Sequence, residues 1–224
     1  MIHPAILVTD FDGTITRNDF YRLVRDRLMP DQTPDFWASY REGRLTHFEA
    51  LRAYFAAARP DEATLLQLVD EMDIDPNLAE GVAALNDRGW KVVVVSNGCR
   101  WYIDRLLVRA GVDLEVHANP GGIEGGRLAM HWPSDTPYPS KQTGINKAAI
   151  VQAFLEEGRT VAFAGDGVTD VEPALLVPPD RRFARADLAE SLRDRDEPFR
   201  PFERWIEVAR GLVETSGPAA GEAS

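Results

Sequence analysis

Cysteine is almost missing from this 224-residue chain, where Cys99 stands alone. A single thiol cannot form an internal disulfide, so packing must hold the fold, and a reducing cytoplasm is the expected compartment. The first residues also lack the basic segment and apolar run of a secretory signal. Histidine is scarce: His3, His47, His117 and His131 are scattered without metal-ligand spacing, which leaves none as a candidate ligand. Positive charge is in the minority, with 25 Lys and Arg against 36 Asp and Glu and a formal net charge of −11. That balance argues against nucleic acid as a partner, and an anionic substrate would need local cations. No apolar run approaches the roughly 18 residues of a membrane span, so no membrane partner is expected. Neither an internal repeat nor a long linker is visible.

What remains is an ordinary globular composition, 44% hydrophobic and 27% charged, long enough for one well-cored domain with a modest insertion. Residues 5–9 (Ala-Ile-Leu-Val-Thr) are apolar without polar alternation, as in a strand buried on both faces of a parallel sheet. The run stops at Asp10, Phe11, Asp12 and Gly13. Ligands of open parallel sheets sit beyond the carboxyl ends of the strands, where these two carboxylates would project.

Residues 18–81 read as helices only. Asn18 or Asp19 caps a helix stopped by Pro30; others are expected over 35–43, 46–59 with Thr46 as cap, and 61–72 with Asp61 as cap. Pro76 opens a further helix to Arg88. Residues 91–98 repeat the opening pattern, four valines ending in Ser96, Asn97 and Gly98. A helix over 100–110, a strand over 114–118 and a two-stranded flap over 121–131 follow. A loop over 134–144 leads to Asn146, the cap of a helix to about 157. A strand over 160–164 again ends in carboxylates, Asp166 and Asp170. Residues 182–185 suit a short strand, and 187–193 and 201–213 suit helices, before a frayed tail from 216.

Three strand ends thus carry Asp10/Asp12, Ser96-Asn97-Gly98 and Asp166/Asp170. Carboxylates brought together repel and require a cation; with no matching His or Cys set, hard oxygen ligands favour Mg²⁺ over zinc. Such an ion commonly serves a substrate phosphate, and an aspartate can itself be the nucleophile of phosphoryl transfer.

Asp10-Phe11-Asp12-Gly13-Thr14, Ser96, Lys147 and Gly165-Asp166-Gly167-Val168-Thr169-Asp170, in that order, resemble the four motifs of the haloacid dehalogenase superfamily of phosphatases. The resemblance implies an α/β fold: a Rossmann-like parallel-sheet core over 1–17 and 82–215, a small inserted helical cap over 18–81 like that of the phosphoserine phosphatase branch, and a flexible tail over 216–224. It implies Asp10 as nucleophile, Asp12 as general acid and base, and Lys147 as the cation that offsets their charge. Thr14, Ser96, Asn97 and Gly98 would hold phosphoryl oxygens. Mg²⁺ would be held by Asp10, the backbone carbonyl of Asp12, Asp166 and, through water or by orienting Lys147, Asp170. Lys141 is the rival lysine, in a Pro-rich loop. Asp19, Arg44 and Tyr54 are candidates for substrate selection, with helix capping an equal role for Asp19; Trp132 and Cys99 are expected as packed residues.

The implied activity is an Mg²⁺-dependent phosphomonoesterase that passes through an aspartyl-phosphate, in a monomer or homodimer acting on a small phosphorylated metabolite. Residues 119–132, 165–174, 183–185 and 198–199 resemble the methionine-salvage branch, whose substrate is 2-hydroxy-3-keto-5-methylthiopentenyl-1-phosphate. Phosphoserine hydrolysis is the alternative. A phosphate-binding module without turnover is the alternative of another class.

Overall fold

The computed structural model describes residues 4–29, 31, 33–58 and 60–215. His3, the helix stops expected at Pro30 and Arg59, and the tail expected over 216–224 lie outside the described residues. The chain begins with β1 (Ala5–Thr9) and continues through α1 (Phe20–Leu28), α2 (Phe36–Arg41), α3 (His47–Ala57), α4 (Glu62–Asp70) and α5 (Leu78–Asp87). Then come β2 (Trp90–Cys99), α6 (Arg100–Arg109), β3 (Glu115–Asn119), the hairpin β4 (Gly121–Glu124) and β5 (Arg127–Met130), and the small pair β6 (Pro139–Ser140) and β7 (Gly144–Ile145). The last part holds α7 (Lys147–Glu156), β8 (Thr160–Gly165), α8 (Val171–Leu175), β9 (Arg182–Ala184), α9 (Ala186–Arg193), β10 (Arg200–Pro201) and α10 (Trp205–Thr215).

The main sheet has the order β10-β9-β8-β1-β2-β3, with parallel pairing throughout. Its centre is β1, whose Thr9 is level with Val94 on β2 and Ala164 on β8. Side chains alternate between two apolar layers. Ala5, Leu7, Val92 and Val94 face the layer shared with α5, α6 and α10. Ile6, Val8, Val93, Val95, Val161 and Phe163 face the layer shared with α7, α8 and α9. Both faces are therefore covered, which is why these strands read as unbroken hydrophobic runs.

The helical segment leaves and rejoins the core at one place. Thr16 pairs with Ile74 in an antiparallel bridge, Arg17 and Asn18 donate their backbone N–H groups to Asp73 and Met72, and Asp75 donates to Ile15. Helix α5 lies beyond this strap and packs on α10, where a Cβ on Gly81 would come within 2.9 Å of the Trp205 ring.

Several elements differ from expectation. The last helix starts at Trp205, not 201, because Pro201 is spent on the edge strand β10 beside β9. The stretch 134–144 is not all loop, since β6 and Gly144 of β7 fall within it. Trp132 is not core: it is 41% exposed and meets Phe48 edge-on, with ring centroids 5.4 Å apart. It follows a hairpin whose inward positions are already filled by Leu128 and Met130.

Candidate active site

The carboxyl ends of β1, β2 and β8 meet where the sheet is bordered by the start of α7. Asp10 continues β1 through a backbone bond from its N–H to Ala164 (2.9 Å), and its Oδ1 accepts from the Phe11 N–H (2.7 Å). On β2 the register with β3 slips between Val95 and Cys99, freeing Ser96, Asn97 and Gly98 from the regular ladder. Asn146 caps α7 through Ala149 N–H, which presents Lys147 from the first turn.

Lys147 is buried, and its Nζ lies 2.8 Å from Asp10 Oδ1 and 2.7 Å from Asp170 Oδ1. Asp170 is wholly enclosed; its other oxygen accepts from the backbone N–H groups of Asp166 (3.1 Å) and Gly167 (3.0 Å). Burial alone would lower the Lys147 pKa, but Asp10 and Asp170 more than offset it and hold the ammonium charged. For Asp10, burial first and the Asp170 charge second push the carboxyl well above its usual range, while Lys147 pulls it back. Asp166 rises to about 7, through burial and then its neighbours Asp170 and Asp19.

Asp10, Asp166 and Asp170 each bring a carboxylate oxygen within 4.8 Å of the others. Gly13 makes room for this group: it has φ +72°, and a Cβ there would lie 2.3 Å from Asp166 Oδ2. An all-oxygen set of negative charge suits a hard divalent cation, and excess charge at the site is what such an ion would neutralise.

Asp12 points to a different place. Its Oδ1 accepts from the Phe20 N–H (3.2 Å), and its Oδ2 accepts from the Tyr102 hydroxyl (2.9 Å) and, at 3.4 Å, from Ser96 Oγ. Burial and the Asp19 charge lift its pKa to about 7 against those donors. A carboxyl near neutrality can both give and take a proton at physiological pH.

The residues expected at the site divide into two groups. Asp10, Asp12, Asp19, Ser96, Asn97, Gly98, Lys147 and Asp166 line one cavity of about 430 Å³, and Asp170 lies directly behind. Asp19 also caps α1, accepting from Tyr21 N–H at 2.7 Å, so both roles considered for it coincide. Asn97 faces the cavity, but its amide nitrogen donates to Ile145 (2.9 Å) and secures β7. Thr14 does not face it; its hydroxyl donates to Asp166 Oδ1 (3.0 Å). Two specificity candidates lie elsewhere. Tyr54 is buried inside the helical unit, its hydroxyl donating to Asp35 (3.2 Å), because α3 turns its apolar face inward there. Arg44 is exposed, paired with Glu42 and Ser39 in the turn before α3.

The α1, α2 and α3 side of the cavity carries an aromatic wall. Tyr21, Trp37, Tyr40, His47 and Leu51 line it, and the Trp37 and His47 rings lie 4.9 Å apart. His47 is held neutral, its pKa lowered to about 4 by burial and then by Lys147, and its buried Nδ1 has no hydrogen-bond partner. Arginines at the rim already face carboxylates: Arg22 with Asp187, Arg25 with Asp26 and Arg41 with Asp35. Neither His47 nor Tyr102 was legible as a site residue. His47 lacks metal spacing, and which way Tyr102 points depends on the rotation of α6.

A parallel sheet with acidic and lysine side chains gathered at its carboxyl edge, and a helical unit inserted after its central strand, defines the haloacid dehalogenase-like hydrolases. The chain belongs to that family, whose profile matches residues 7–174. It is similar to the 2-hydroxy-3-keto-5-methylthiopentenyl-1-phosphate phosphatase of Microcystis aeruginosa (strain NIES-843 / IAM M-2473), 27% identical over 93% of this chain and 97% of that one. Among solved structures, a haloacid dehalogenase family hydrolase from Salmonella enterica subsp. enterica serovar Typhi superposes with a TM-score of 0.70 at 18% identity, over 95% of this chain and 72% of that one. A phosphoserine phosphatase from T. onnurineus gives 0.64 at 17% identity, over 96% of both. These two establish the shared fold. Among the described residues no helix is long and apolar enough to cross a membrane.

Proposed function

We propose that the protein is an Mg²⁺-dependent phosphomonoesterase that works through an aspartyl-phosphate on Asp10. The observation that carries this reading is the Lys147 ammonium between Asp10 and Asp170, with Asp166 completing an all-oxygen cluster at the mouth of β1. Asp10 and Asp166, with the Asp12 carbonyl, would hold the ion, which when bound supplies positive charge for phosphoryl oxygens. Both Asp170 oxygens are already engaged, so its part is to orient Lys147.

A carboxylate oxygen of Asp10 attacks phosphorus, and the bond from phosphorus to the leaving oxygen breaks as Asp12 gives that oxygen its proton. Asp12 then takes a proton from water as the water oxygen attacks phosphorus. The bond to Asp10 breaks, inorganic phosphate leaves and both carboxyls return to their starting states. Lys147 and the N–H groups beside Ser96 offset charge on the phosphoryl oxygens.

The cap expected over 18–81 is proposed to end at the Thr16–Ile74 strap, before α5, which packs on α10 and β2 as part of the core formed with 1–17 and the residues from 82 onward. The aromatic wall and the matched arginines favour a leaving group that is neutral and partly apolar. The substrate for which the Microcystis relative is named, 2-hydroxy-3-keto-5-methylthiopentenyl-1-phosphate, has that character: a thioether for the rings and oxygens within the chemistry of a neutral imidazole. Its methionine-salvage setting agrees with a cytoplasmic enzyme whose single cysteine is buried. A phosphatase panel with Mg²⁺ tests both levels. The expected outcome is that Asp10→Asn abolishes turnover and that the keto ester exceeds phosphoserine in kcat/KM by about tenfold or more. Preferred hydrolysis of phosphoserine would overturn the substrate assignment; undiminished turnover by Asp10→Asn would overturn the reaction.

A further inference from the structure

Tyr102 lies outside the motifs, yet its hydroxyl rests on the carboxylate that must exchange the proton. The side chain is 1% exposed, and its Oη is 2.9 Å from Asp12 Oδ2. The Cys99 backbone N–H donates to the same Oη at 3.2 Å. The hydroxyl accepts there, and toward the ionised Asp12 carboxylate, which can only accept, it directs its own hydrogen. Space is kept for the contact by Gly98, where a Cβ would lie 1.8 Å from Tyr102 Oη and 2.8 Å from Asp12 Oδ2.

The other Asp12 oxygen is held from the opposite side. Phe20, first residue of α1, donates its N–H to Oδ1, and its ring packs on Tyr102 with centroids 4.5 Å apart. The carboxylate is thus gripped at both oxygens, by α1 and by α6, and cannot turn about its own bond without losing a donor.

We propose that Tyr102 is a positioning residue for proton transfer: its hydroxyl fixes the Asp12 carboxyl in the orientation that serves the leaving oxygen. This role rests on Asp12 being the acid and base of the proposed reaction. It goes beyond that reading by assigning the orientation to a residue of α6.

The test is Tyr102→Phe, which keeps the ring and removes the hydroxyl, assayed with Mg²⁺ on a primary alkyl phosphate and on 4-nitrophenyl phosphate. The aryl group departs without a proton, whereas the alkoxide needs one. Tyr102→Phe is expected to lower kcat/KM for the alkyl ester about tenfold or more and to leave the aryl ester within about threefold. Equal losses on both esters, or no loss on either, would overturn the proposal. Leu106→Ala, on the same helix and away from the cavity, should lower Tm without changing the alkyl-to-aryl ratio; a ratio shift as large as that of Tyr102→Phe would also overturn it. Should the Phe variant not fold, 3-fluorotyrosine at 102 keeps the hydroxyl with altered donor strength and must shift the same ratio. Asp12→Asn separates the two levels. If it spares the alkyl ester, the assignment of Asp12 falls; if it is selective and Tyr102→Phe is not, only the positioning role falls.

Discussion

Lys147 is a charged group almost without water, stabilised only because two carboxylates share it. Lys147→Met would leave Asp10 and Asp170 facing each other uncompensated, at a cost of about 3–5 kcal/mol for a broken buried pair. Urea unfolding of the metal-free protein should record that loss. The raised carboxyls of Asp12 and Asp166 set a pH dependence. Each binds its proton more tightly folded than unfolded, so its stabilising contribution is present below pH 4 and is lost as pH rises through about 7. His47 acts in the opposite sense, because its pKa is lowered to about 4, but its contribution is complete once pH passes its unfolded value near 6.5. Between pH 6.5 and 8 the carboxyls therefore decide the slope. Stability without metal should fall by about 1 kcal/mol over that interval, allowing for solvent at the cavity mouth, with Tm measured in chelator as the check.

At the scale of elements, helix starts and turns do most of the positioning. Thr46 and Glu49 form a complete capping box at the head of α3, the helix that delivers His47 to the cavity wall. Thr46→Ala should cost about 1 kcal/mol in chemical denaturation, and under the proposed reading it should raise KM more than it lowers kcat, since α3 lines the cavity through His47 and Leu51 and supplies none of the clustered carboxylates. The turn after β1 is less forgiving. Gly13→Ala would force an L side chain to φ +72° and drive its Cβ into Asp166, so loss of metal-dependent activity is expected even where the fold survives.

For the whole molecule, the sheet assembles parts distant in sequence: Asp10 from β1, Ser96 from β2, Lys147 from α7 and Asp166 after β8. A cation that binds only the folded form must then stabilise all of it. Mg²⁺ at a hundredfold excess over its Kd should add about 2.7 kcal/mol, read as a rise in Tm. The rise should be larger at pH 8 than at pH 6.5, where protons compete for the carboxyls, and it should shrink in Asp166→Asn.

The amino-acid sequence by itself determined the layered α/β class, the strands read at 5–9, 91–98 and 160–164, which fold as 5–9, 90–99 and 160–165, and the motif carboxylates, because buried parallel strands and strand-end acids leave signals that are local in the chain. A helix-start position and a family-like distance before Asp166 placed Lys147 ahead of Lys141. Only the tertiary structure decided which way side chains face. Thr14 turned to Asp166, Tyr54 turned into the helical unit, Arg44 stayed in solvent, and Trp132 lay on the surface. Tyr102 and His47 entered the site through the rotation of α6 and the seating of α3, which depend on contacts between residues about eighty to ninety-five positions apart. The carboxylates were written at strand ends, where neighbours in sequence stay neighbours in space; the lining of the cavity around them was written by contacts that exist only once the chain has folded.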